Sequence, residues 1–339
     1  MAIYGGDGND NVFSAGGNTQ AYGGNGNDTV YTNSTTGYLD AYGGDGNDWL
    51  FADLTSGSSY IYGGRGTDVV DSGSGNDYIE GGQGRDALRA GSGNDTVYGG
   101  DGDDDTFNVT AGSNTSAAFQ TTKAGGLYGE AGNDYLDGGT GNDYLDGGSE
   151  NDTLYGGLGN NTLVGGSGSD LLSLNGGTDY AYGGTGNDQI YGFGSTSYMF
   201  GEAGSDLIAC GNTASYMDGG ADADTVFGGF SNDTILGGSG ADAVGGYYGI
   251  DNLYGGTGSD FFNMTYDTRV GEYDIINDWN TGGNQDALIY NAAYASNTFF
   301  AQGAGFVDVY QVLGSGTYHT YVYGAGVTAA NVQANTYYV

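Results

Sequence analysis

Residues 63–107 read GGRGTDVVD, SGSGNDYIE, GGQGRDALR, AGSGNDTVY and GGDGDDDTF, which are five consecutive copies of one nine-residue unit. The unit favours glycine at positions 1, 2 and 4, carries aspartate at position 6 and usually has an aliphatic residue at position 8. Glycine accepts the positive φ angles of a tight loop, and a short strand over positions 7 to 9 turns its middle side chain to one face. The stretch therefore predicts short strands that stack in register and are joined by glycine-rich loops.

The same unit recurs along most of the chain. Copies begin at residues 5, 23, 43, 63, 72, 81, 90, 99, 129, 138, 147, 156, 165, 174, 183, 201, 219, 228, 237, 246 and 255. Position 6 is Asn161 in the copy at 156 and aspartate in the other twenty, so these aspartates are the candidate functional residues. They are Asp10, Asp28, Asp48, Asp68, Asp77, Asp86, Asp95, Asp104, Asp134, Asp143, Asp152, Asp170, Asp179, Asp188, Asp206, Asp224, Asp233, Asp242, Asp251 and Asp260.

Position 8 predicts the core. Its side chains are expected to point inward and to stack as an aliphatic ladder from turn to turn. The predicted core residues are Val12, Val30, Leu50, Val70, Ile79, Leu88, Val97, Leu136, Leu145, Leu154, Leu163, Leu172, Ile190, Ile208, Val226, Ile235 and Leu253.

Composition and charge exclude several kinds of partner and of stabilising site. The chain has 339 residues with 74 glycines and no proline, and 42 acidic against five basic residues give it a net charge of −37. No basic patch is available for phosphates, so nucleic acid and anionic membranes are poor partners. A single cysteine, Cys210, and a single histidine, His319, exclude an internal disulfide framework and a Cys/His metal cluster. Because carboxylate repulsion and glycine entropy must both be offset, a hard cation bound by oxygen is the remaining candidate stabiliser.

The pattern Gly-Gly-x-Gly-x-Asp-x-U-x, in which U is a large apolar residue, resembles the repeats-in-toxin (RTX) family over residues 5–263. The resemblance implies an all-β fold, a parallel β-roll or right-handed β-solenoid, in which two units make one turn. It also implies multiple Ca²⁺ ions between loops of neighbouring turns, ligated by loop carbonyls and by the twenty aspartates. Because cytoplasmic free Ca²⁺ is far below the dissociation constants of extracellular modules, the chain is expected to fold only outside the cell.

Two units per turn place the loops alternately on two edges, and the spacing shows that the edges differ. Well-formed loops at 5, 23, 43 and 63, and again at 165, 183, 201 and 219, follow one another at 18 to 20 residues, with degenerate half-turns between them. Several half-turns are rich in Ser, Thr and Asn, at 33–36, 55–59, 195–197 and 212–215. They are either neutral solvated turns or a polar face for glycan or subunit contact.

Positions 7 and 9 point away from the predicted core and carry many aromatic residues. Two explanations are open, namely ring ladders that stabilise the stacked strands, and an exposed surface for self-association or sugar stacking. The residues are Tyr22, Tyr31, Tyr42, Trp49, Phe51, Tyr62, Tyr78, Tyr98, Tyr135, Tyr144, Tyr155, Tyr180, Tyr182, Tyr191, Tyr198, Phe200, Tyr216, Phe227 and Tyr254.

The chain is predicted to divide into a repeat region and a C-terminal region. Residues 1–263 form the β-roll, with an irregular break at 108–128, and residues 264–339 form a β cap and secretion-signal region. The segment 273–289 resembles the cap of secreted RTX proteases, and residues 306–313 and 317–323 predict a β-hairpin. Residues 327–332 and 337–339 resemble an uncleaved signal for type I secretion, which would explain the absence of an N-terminal signal peptide.

The sequence offers little material for a catalytic site. It contains no nucleophile elbow, zinc-protease motif or phosphate loop, so we expect no enzyme. The expected function is a secreted Ca²⁺-binding structural protein that self-assembles, head-to-tail or laterally, into an extracellular filament, surface layer or matrix. The alternative is a Ca²⁺-stabilised adhesin or polysaccharide-binding module. Expected partners are further copies of the chain, the type I secretion machinery and, in the alternative, cell-surface polysaccharide, with no nucleic acid and no membrane insertion.

Overall fold

A computed structural model of the chain describes residues 2–15, 18–34, 38–54, 57–90, 95–102, 104–107, 126–194, 196–264, 273–279, 286–290, 298–302, 306–313, 316–323 and 327–338. The chain forms two compact units, Met1–Gly177 and Thr178–Val339. Both units consist almost entirely of short parallel strands.

The first unit is a solenoid whose strands alternate between two parallel sheets. Paired residues of neighbouring turns are 18 or 20 positions apart in most turns, as Tyr4 pairs with Tyr22 and Tyr22 with Tyr42. The odd-numbered sheet holds β1 Ala2–Asp7, β3 Thr19–Asn25, β5 Leu39–Asp45, β7 Ser59–Arg65, β9 Tyr78–Gln83, β11 Thr96–Asp101, β13 Gly126–Ala131, β15 Tyr144–Ser149 and β17 Thr162–Ser167. The even-numbered sheet holds β2 Asn11–Ala15, β4 Thr29–Ser34, β6 Trp49–Leu54, β8 Val69–Gly73, β10 Ala87–Arg89, β12 Asp105–Phe107, β14 Tyr135–Asp137, β16 Thr153–Tyr155 and β18 Leu171–Asn175.

The second unit repeats this winding. Its odd-numbered strands are β19 Thr178–Thr185, β21 Thr196–Ala203, β23 Tyr216–Ala221, β25 Thr234–Gly240, β27 Asn252–Gly258, β29 Tyr273–Ile276, β31 Thr298–Gln302 and β33 Gly316–Tyr323. Its even-numbered strands are β20 Gln189–Phe193, β22 Leu207–Cys210, β24 Thr225–Phe227, β26 Ala243–Gly245, β28 Phe261–Asn263, β30 Ala287–Tyr290, β32 Phe306–Leu313 and β34 Thr336–Tyr338. In each unit, up to β30, we call the loops that follow odd-numbered strands the first edge and those that follow even-numbered strands the second edge.

The strands after β28 depart from the repeat. β29 and β30 still pair in parallel with β27 and β28, but β32 runs antiparallel to both β31 and β33. The predicted hairpin is therefore confirmed, with Phe306 opposite Tyr323 and Leu313 opposite Gly316. A short helix, α1 Ala329–Ala334, follows the N-cap Thr328 and was not predicted.

The predicted core is confirmed, because every position-8 residue named above is buried. The degenerate half-turns add core residues that the motif did not reveal, among them Ala21, Ile61, Met199 and Met217. These half-turns have lost the glycine loop but keep the alternation of inward and outward side chains, which is what burial requires.

Close spacing of the turns explains why glycine dominates position 2. Gly44 has a φ of 123°, and a Cβ built on it would overlap the Gly24 carbonyl oxygen of the preceding turn. Any other residue would therefore strain its own backbone and push two turns apart.

Tyrosines form a continuous column on the outer face of the odd-numbered sheet of the first unit. Successive ring centroids lie 4.7 to 5.8 Å apart, and several pairs are parallel, as for Tyr22 and Tyr42 with an interplanar angle of 5°. Each interior ring is covered on both sides by its neighbours, which leaves little ring face for a sugar. This geometry favours the strand-stabilising explanation of the aromatic positions. The column comprises Tyr4, Tyr22, Tyr42, Tyr62, Tyr78, Tyr98, Tyr128 and Tyr144.

The predicted fold class, an all-β parallel β-roll wound as a right-handed β-solenoid, is confirmed. The division at residue 263 stays a prediction. Most of the predicted break at 108–128, and residues 35–36, 55–56 and 195 of the polar half-turns, lie outside the described residues.

Candidate metal centres

All twenty predicted aspartates lie among the described residues, in columns that run along the two edges of each unit. Nineteen are buried, and Asp10 in the first turn is half-buried. In the first unit the first-edge column comprises Asp10, Asp28, Asp48, Asp68, Asp86, Asp104, Asp134, Asp152 and Asp170. In the second unit the first-edge column comprises Asp188, Asp206, Asp224, Asp242 and Asp260.

One carboxylate oxygen of each column member after the first of its unit accepts a hydrogen bond from the neighbouring turn. Asp28 Oδ1 accepts the backbone N–H of Asp10 at 2.7 Å, and the same bond links every successive first-edge pair of the first unit at 2.7 to 2.8 Å. The second unit shows it from Asp188 to Asp260 at 2.7 to 3.0 Å. The aspartates are therefore structural acceptors as well as charges, which their sequence pattern did not reveal.

The second oxygen, Oδ2, has a different environment. It is buried and accepts no hydrogen bond in a set of first-edge aspartates in both units. A buried polar atom without a partner costs free energy, so this arrangement calls for a positive group that the protein chain itself does not supply. The residues are Asp28, Asp48, Asp68, Asp86, Asp152, Asp206, Asp224, Asp242 and Asp260.

A small space beside each Oδ2 exists because position 1 is glycine. A Cβ built on Gly81 would lie 2.6 Å from Asp86 Oδ2 and 2.5 Å from the carbonyl oxygen of Gly99 in the next turn. Gly219 shows the same arrangement, with Asp224 Oδ2 at 2.6 Å and the Gly237 carbonyl oxygen at 2.5 Å. A carboxylate oxygen and a carbonyl oxygen thus converge where only glycine leaves room, and Ca²⁺ takes these two ligand types.

Burial raises the pKa of several carboxyl groups on the two edges of the first unit. The pKa rises to about 6 for Asp86, about 7 for Asp95 and about 8 for Asp152, because desolvation outweighs the backbone N–H bond that each accepts and neighbouring aspartates add repulsion. When bound, Ca²⁺ supplies the positive charge that lets such buried carboxylates ionise together.

No three side chains of Asp, Glu, His or Cys meet closely enough to hold a metal among the residues that the structure describes. A cation in the loops would therefore take most of its oxygen ligands from the backbone, as the family resemblance implies. That the twenty aspartates are ligands stays a prediction, and their burial and the position-1 space are compatible with it.

The second edge is less uniform. In the first unit it has Asp77, Asp95 and Asp143, while Ser59 and Asn161 stand at the same position of other turns. In the second unit Asp179, Asp233 and Asp251 share the edge with Ser197 and Ser215. The backbone bond persists where the charge is missing, since Asn161 Oδ1 accepts the Asp143 N–H at 2.9 Å.

Three aspartates beyond the repeats accept N–H groups of the last repeat loops, two of them in line with the columns, and the sequence reasoning missed them as site residues. Asp286 Oδ1 accepts the Asp260 N–H at 3.2 Å on the first edge, and Asp274 Oδ1 accepts the Asp251 N–H at 3.1 Å on the second. Asp278 accepts two N–H groups, those of Gly255 at 2.9 Å and Gly256 at 2.7 Å. Their spacings of 22 to 26 residues fall outside the nine-residue period, so only the quoted segment 273–289 pointed to them.

The single cysteine and the single histidine lie in different strands of the second unit, β22 and β33. Cys210 Sγ lies 3.6 Å from Asp233 Oδ2, and burial raises the pKa of this thiol. His319 lies in β33, where its backbone pairs with those of Tyr273 and Tyr310. The expectation that the chain is no enzyme stays a prediction.

Comparison with known families agrees with this geometry. The RTX calcium-binding nonapeptide repeat matches residues 3–21, 42–79, 73–106, 80–115, 127–154, 138–172, 146–181, 173–208, 211–244 and 245–263, more than half of the chain. No curated protein matches this chain. Such repeats bind Ca²⁺ and are typical of secreted proteins, so the predicted cofactor, multiple Ca²⁺ ions, is confirmed. Within the described residues, none of the helical structure is long and apolar enough to cross a bilayer.

Proposed function

The chain belongs to the RTX calcium-binding nonapeptide repeat family, and we propose that it is a secreted structural protein that folds on binding Ca²⁺ outside the cell and then self-assembles. The assembly would be a filament, a surface layer or an extracellular matrix. Export by type I secretion in the unfolded state is part of the proposal.

The observation that carries the proposal is the column of buried carboxylates. Asp48, Asp68 and Asp86 follow one another with Oδ2 buried and accepting no hydrogen bond, in a chain whose net charge is −37. Without a counter-charge, ionisation of these groups opposes the fold, since each would be desolvated beside another negative charge. Binding free energy therefore becomes folding free energy, and the Ca²⁺ concentration decides whether the chain is folded.

Self-assembly is supported by exposed apolar rings on the first turns. Tyr4 is 71% exposed, Phe13 61% and Trp49 55%, and the first two each stack on a ring of the following turn. Exposed aromatic surface of this kind marks contact sites between proteins. We propose a second copy of the chain as the occupant, in a head-to-tail or lateral contact.

Static light scattering during a Ca²⁺ titration tests this function. Purified full-length protein is taken from metal-free buffer to about 10 mM Ca²⁺, above the range of extracellular modules, while far-UV circular dichroism is followed in parallel. We expect β-structure to form first and the mass to rise well above 34.5 kDa afterwards. Folding without a rise in mass would reject the assembly step and leave the Ca²⁺-dependent fold.

A groove in the first unit favours a second candidate, a Ca²⁺-stabilised polysaccharide-binding module. Its volume is about 850 Å³, and its lining includes position-2 glycines and the polar side chains of Asn25, Arg65 and Gln83. Planar polar side chains along an open groove suit the hydroxyl groups of a glycan. A glycan array with the Ca²⁺-loaded protein distinguishes the candidates, since a structural unit should bind no glycan specifically.

A further inference from the structure

Non-glycine residues at positive φ are rare in this chain and mostly acidic. Among the described residues they are Glu130 at 77°, Glu150 at 78°, Glu202 at 73°, Asp222 at 77° and Tyr247 at 70°. Asparagine and aspartate tolerate this backbone region best, and glutamate is not among the residues that favour it. The four acidic residues therefore stand where the repeat has glycine, and for the three glutamates this backbone conformation is disfavoured.

Glutamate is otherwise used sparingly. The chain contains only five glutamates, and three of them occupy these loop positions. Random substitution would not concentrate glutamate at positions of positive φ, where its backbone is strained.

The four acidic residues occur as two pairs with the same arrangement, one pair in each unit. Glu130 is at position 2 of the loop that begins at 129, and Glu150 is at position 4 of the next first-edge loop. In the second unit Glu202 is at position 2 of the loop that begins at 201, and Asp222 is at position 4 of the next. The same two-turn arrangement thus occurs once in each unit, on the edge with the unbroken aspartate column.

Glu150 is held between its own loop and the preceding one. Its Oε2 accepts the backbone N–H of Gly132 at 3.1 Å and the hydroxyl of Ser149 at 2.7 Å. Its negative charge acts on Asp152, just as that of Asp222 acts on Asp206 and Asp224. The exposed carboxylates therefore add charge directly beside the buried first-edge aspartates.

A second observation points to a ligand at these places. Asp152, Asp206 and Asp224 are each 2% exposed, and their Oδ2 atoms are buried without a hydrogen-bond partner. Added negative charge beside such oxygens destabilises the metal-free fold, and it favours binding of a cation at the same place. The chain can retain these acidic residues, despite their backbone strain and their repulsion of the buried aspartates, if a bound cation compensates both.

We propose that the stretches 129–152 and 201–224 hold the tightest Ca²⁺ sites of the chain, one in each unit, because each carries a carboxylate at position 4 of its second first-edge loop, directly beside the buried aspartates. The inference rests on the proposed Ca²⁺-binding function and adds a ranking to it. Ligand charge count is one of the quantities that set the Kd of protein Ca²⁺ sites. Since no three carboxylates meet in the described residues, the added group raises affinity by its charge and need not be a ligand.

Competition with a chromophoric chelator measures the tightest class of sites. We compare the full-length protein with E150Q and D222N, which remove the charge and keep a side chain, and with E150G and D222G, which restore the glycine of the repeat. The matched control is D101N, which removes an exposed carboxylate from position 3 of another first-edge loop.

Both kinds of variant are expected to weaken the tightest class, by roughly three- to tenfold in Kd for each charge removed. D101N should titrate like the parent protein. The glycine variants relieve the backbone strain, so a loss of affinity in them cannot be attributed to a damaged loop.

The proposal is overturned if the parent binds Ca²⁺ and folds while E150Q and D222N both titrate as the parent does. It is also overturned if D101N weakens the tightest class as much as they do, since any surface charge would then suffice. A parent protein that binds no Ca²⁺ would instead reject the proposed function, and the ranking with it.

Discussion

The two edges of the first unit carry the same backbone bond and different charge. On the first edge every turn from Asp10 to Asp170 has aspartate, and each later residue accepts the N–H of the one before. On the second edge Asn161 accepts the Asp143 N–H at 2.9 Å, close to the 2.8 Å between Asp68 N and Asp86 Oδ1. The comparison separates two properties of position 6, acceptance of a backbone N–H and supply of a negative charge.

The second terminal atom of the side chain shows the difference. A Cβ built on Gly81 would face Asp86 Oδ2 at 2.6 Å, whereas one built on Gly156 would face Asn161 Nδ2 at 3.0 Å. An amide nitrogen cannot ligate a cation, because it is a donor without a free lone pair. The second edge thus keeps the backbone bond of position 6 in a turn where the negative charge is absent.

Removal of Ca²⁺ should have the largest effect of any change. With chelator at neutral pH the buried carboxylates face one another without counter-charge, so we expect loss of most of the far-UV β signal and an expanded hydrodynamic radius. Mg²⁺ added back at the same concentration is the control, because it demands octahedral geometry and keeps its waters. A full β signal in chelator would show that the columns are stable without a cation.

Acid should partly replace the cation, and this is the next largest effect. The folded-state pKa is about 6 for Asp68 and Asp86 and about 7 for Asp224, all raised from 3.8 by burial. A raised folded pKa gives stability that is complete below the unfolded pKa and is lost as pH rises through the folded value. Metal-free protein should therefore gain β-structure as pH falls from 8 to about 5.

The pH experiment needs Ca²⁺-stripped protein at low concentration, since the isoelectric point of about 4.1 limits solubility at more acidic pH. With Ca²⁺ present the trend should reverse, because protons compete for the same carboxylates and the Ca²⁺ midpoint rises as pH falls. A metal-free circular dichroism signal that does not change over this range would contradict the role of carboxylate burial.

The nine-residue period was sufficient to predict the sheets, the core ladder and the aspartate columns. A residue such as Val70 is buried because its place in the repeat fixes its direction, whatever its neighbours. Met199 and Ala21 were missed because their half-turns have lost the glycine loop, although they keep the strand alternation that buries them.

Two features of the site could not be predicted from the motif. The bond from Asp68 N to Asp86 Oδ1 joins residues 18 apart, and no local pattern shows which carboxylate oxygen is used. Asp274 and Asp286 continue the columns at spacings of 23 and 26 residues, and only the pairing of β29 and β30 with the last repeat strands brings them into line.

Exchanging the side chains at position 6 sharpens the comparison of the edges. D86N should keep the backbone bond and lose about one Ca²⁺, which lowers the free energy of unfolding by about 2.7 kcal/mol when Ca²⁺ is 100-fold above the Kd. D86A also removes the backbone bond and should lower the free energy of unfolding by about 1 kcal/mol more. On the second edge N161A should cost about 1 kcal/mol with the Ca²⁺ count unchanged, and N161D should add a site. Ca²⁺ count by equilibrium dialysis and unfolding free energy in urea measure the two properties separately. If D86N and D86A lowered the free energy of unfolding equally, or if N161D bound no additional Ca²⁺, the two properties of position 6 would not be separable.

A smaller effect than that of D86N is expected at Asp278, which accepts two backbone N–H groups of the last repeat loop. β27 extends to Gly258 but β29 pairs with it only up to Leu253, so the N–H groups of Gly255 and Gly256 meet a side chain and not a further strand. D278A leaves two N–H groups without this acceptor and should cost about 2 kcal/mol, with D278N in between because its amide offers one oxygen. The Ca²⁺ count should not change, in contrast to D286N, which removes a charge from the first-edge column. If D278A also lost an ion, Asp278 would belong with the cation sites, and the separation drawn from the two edges would fail at the point where the repeat ends.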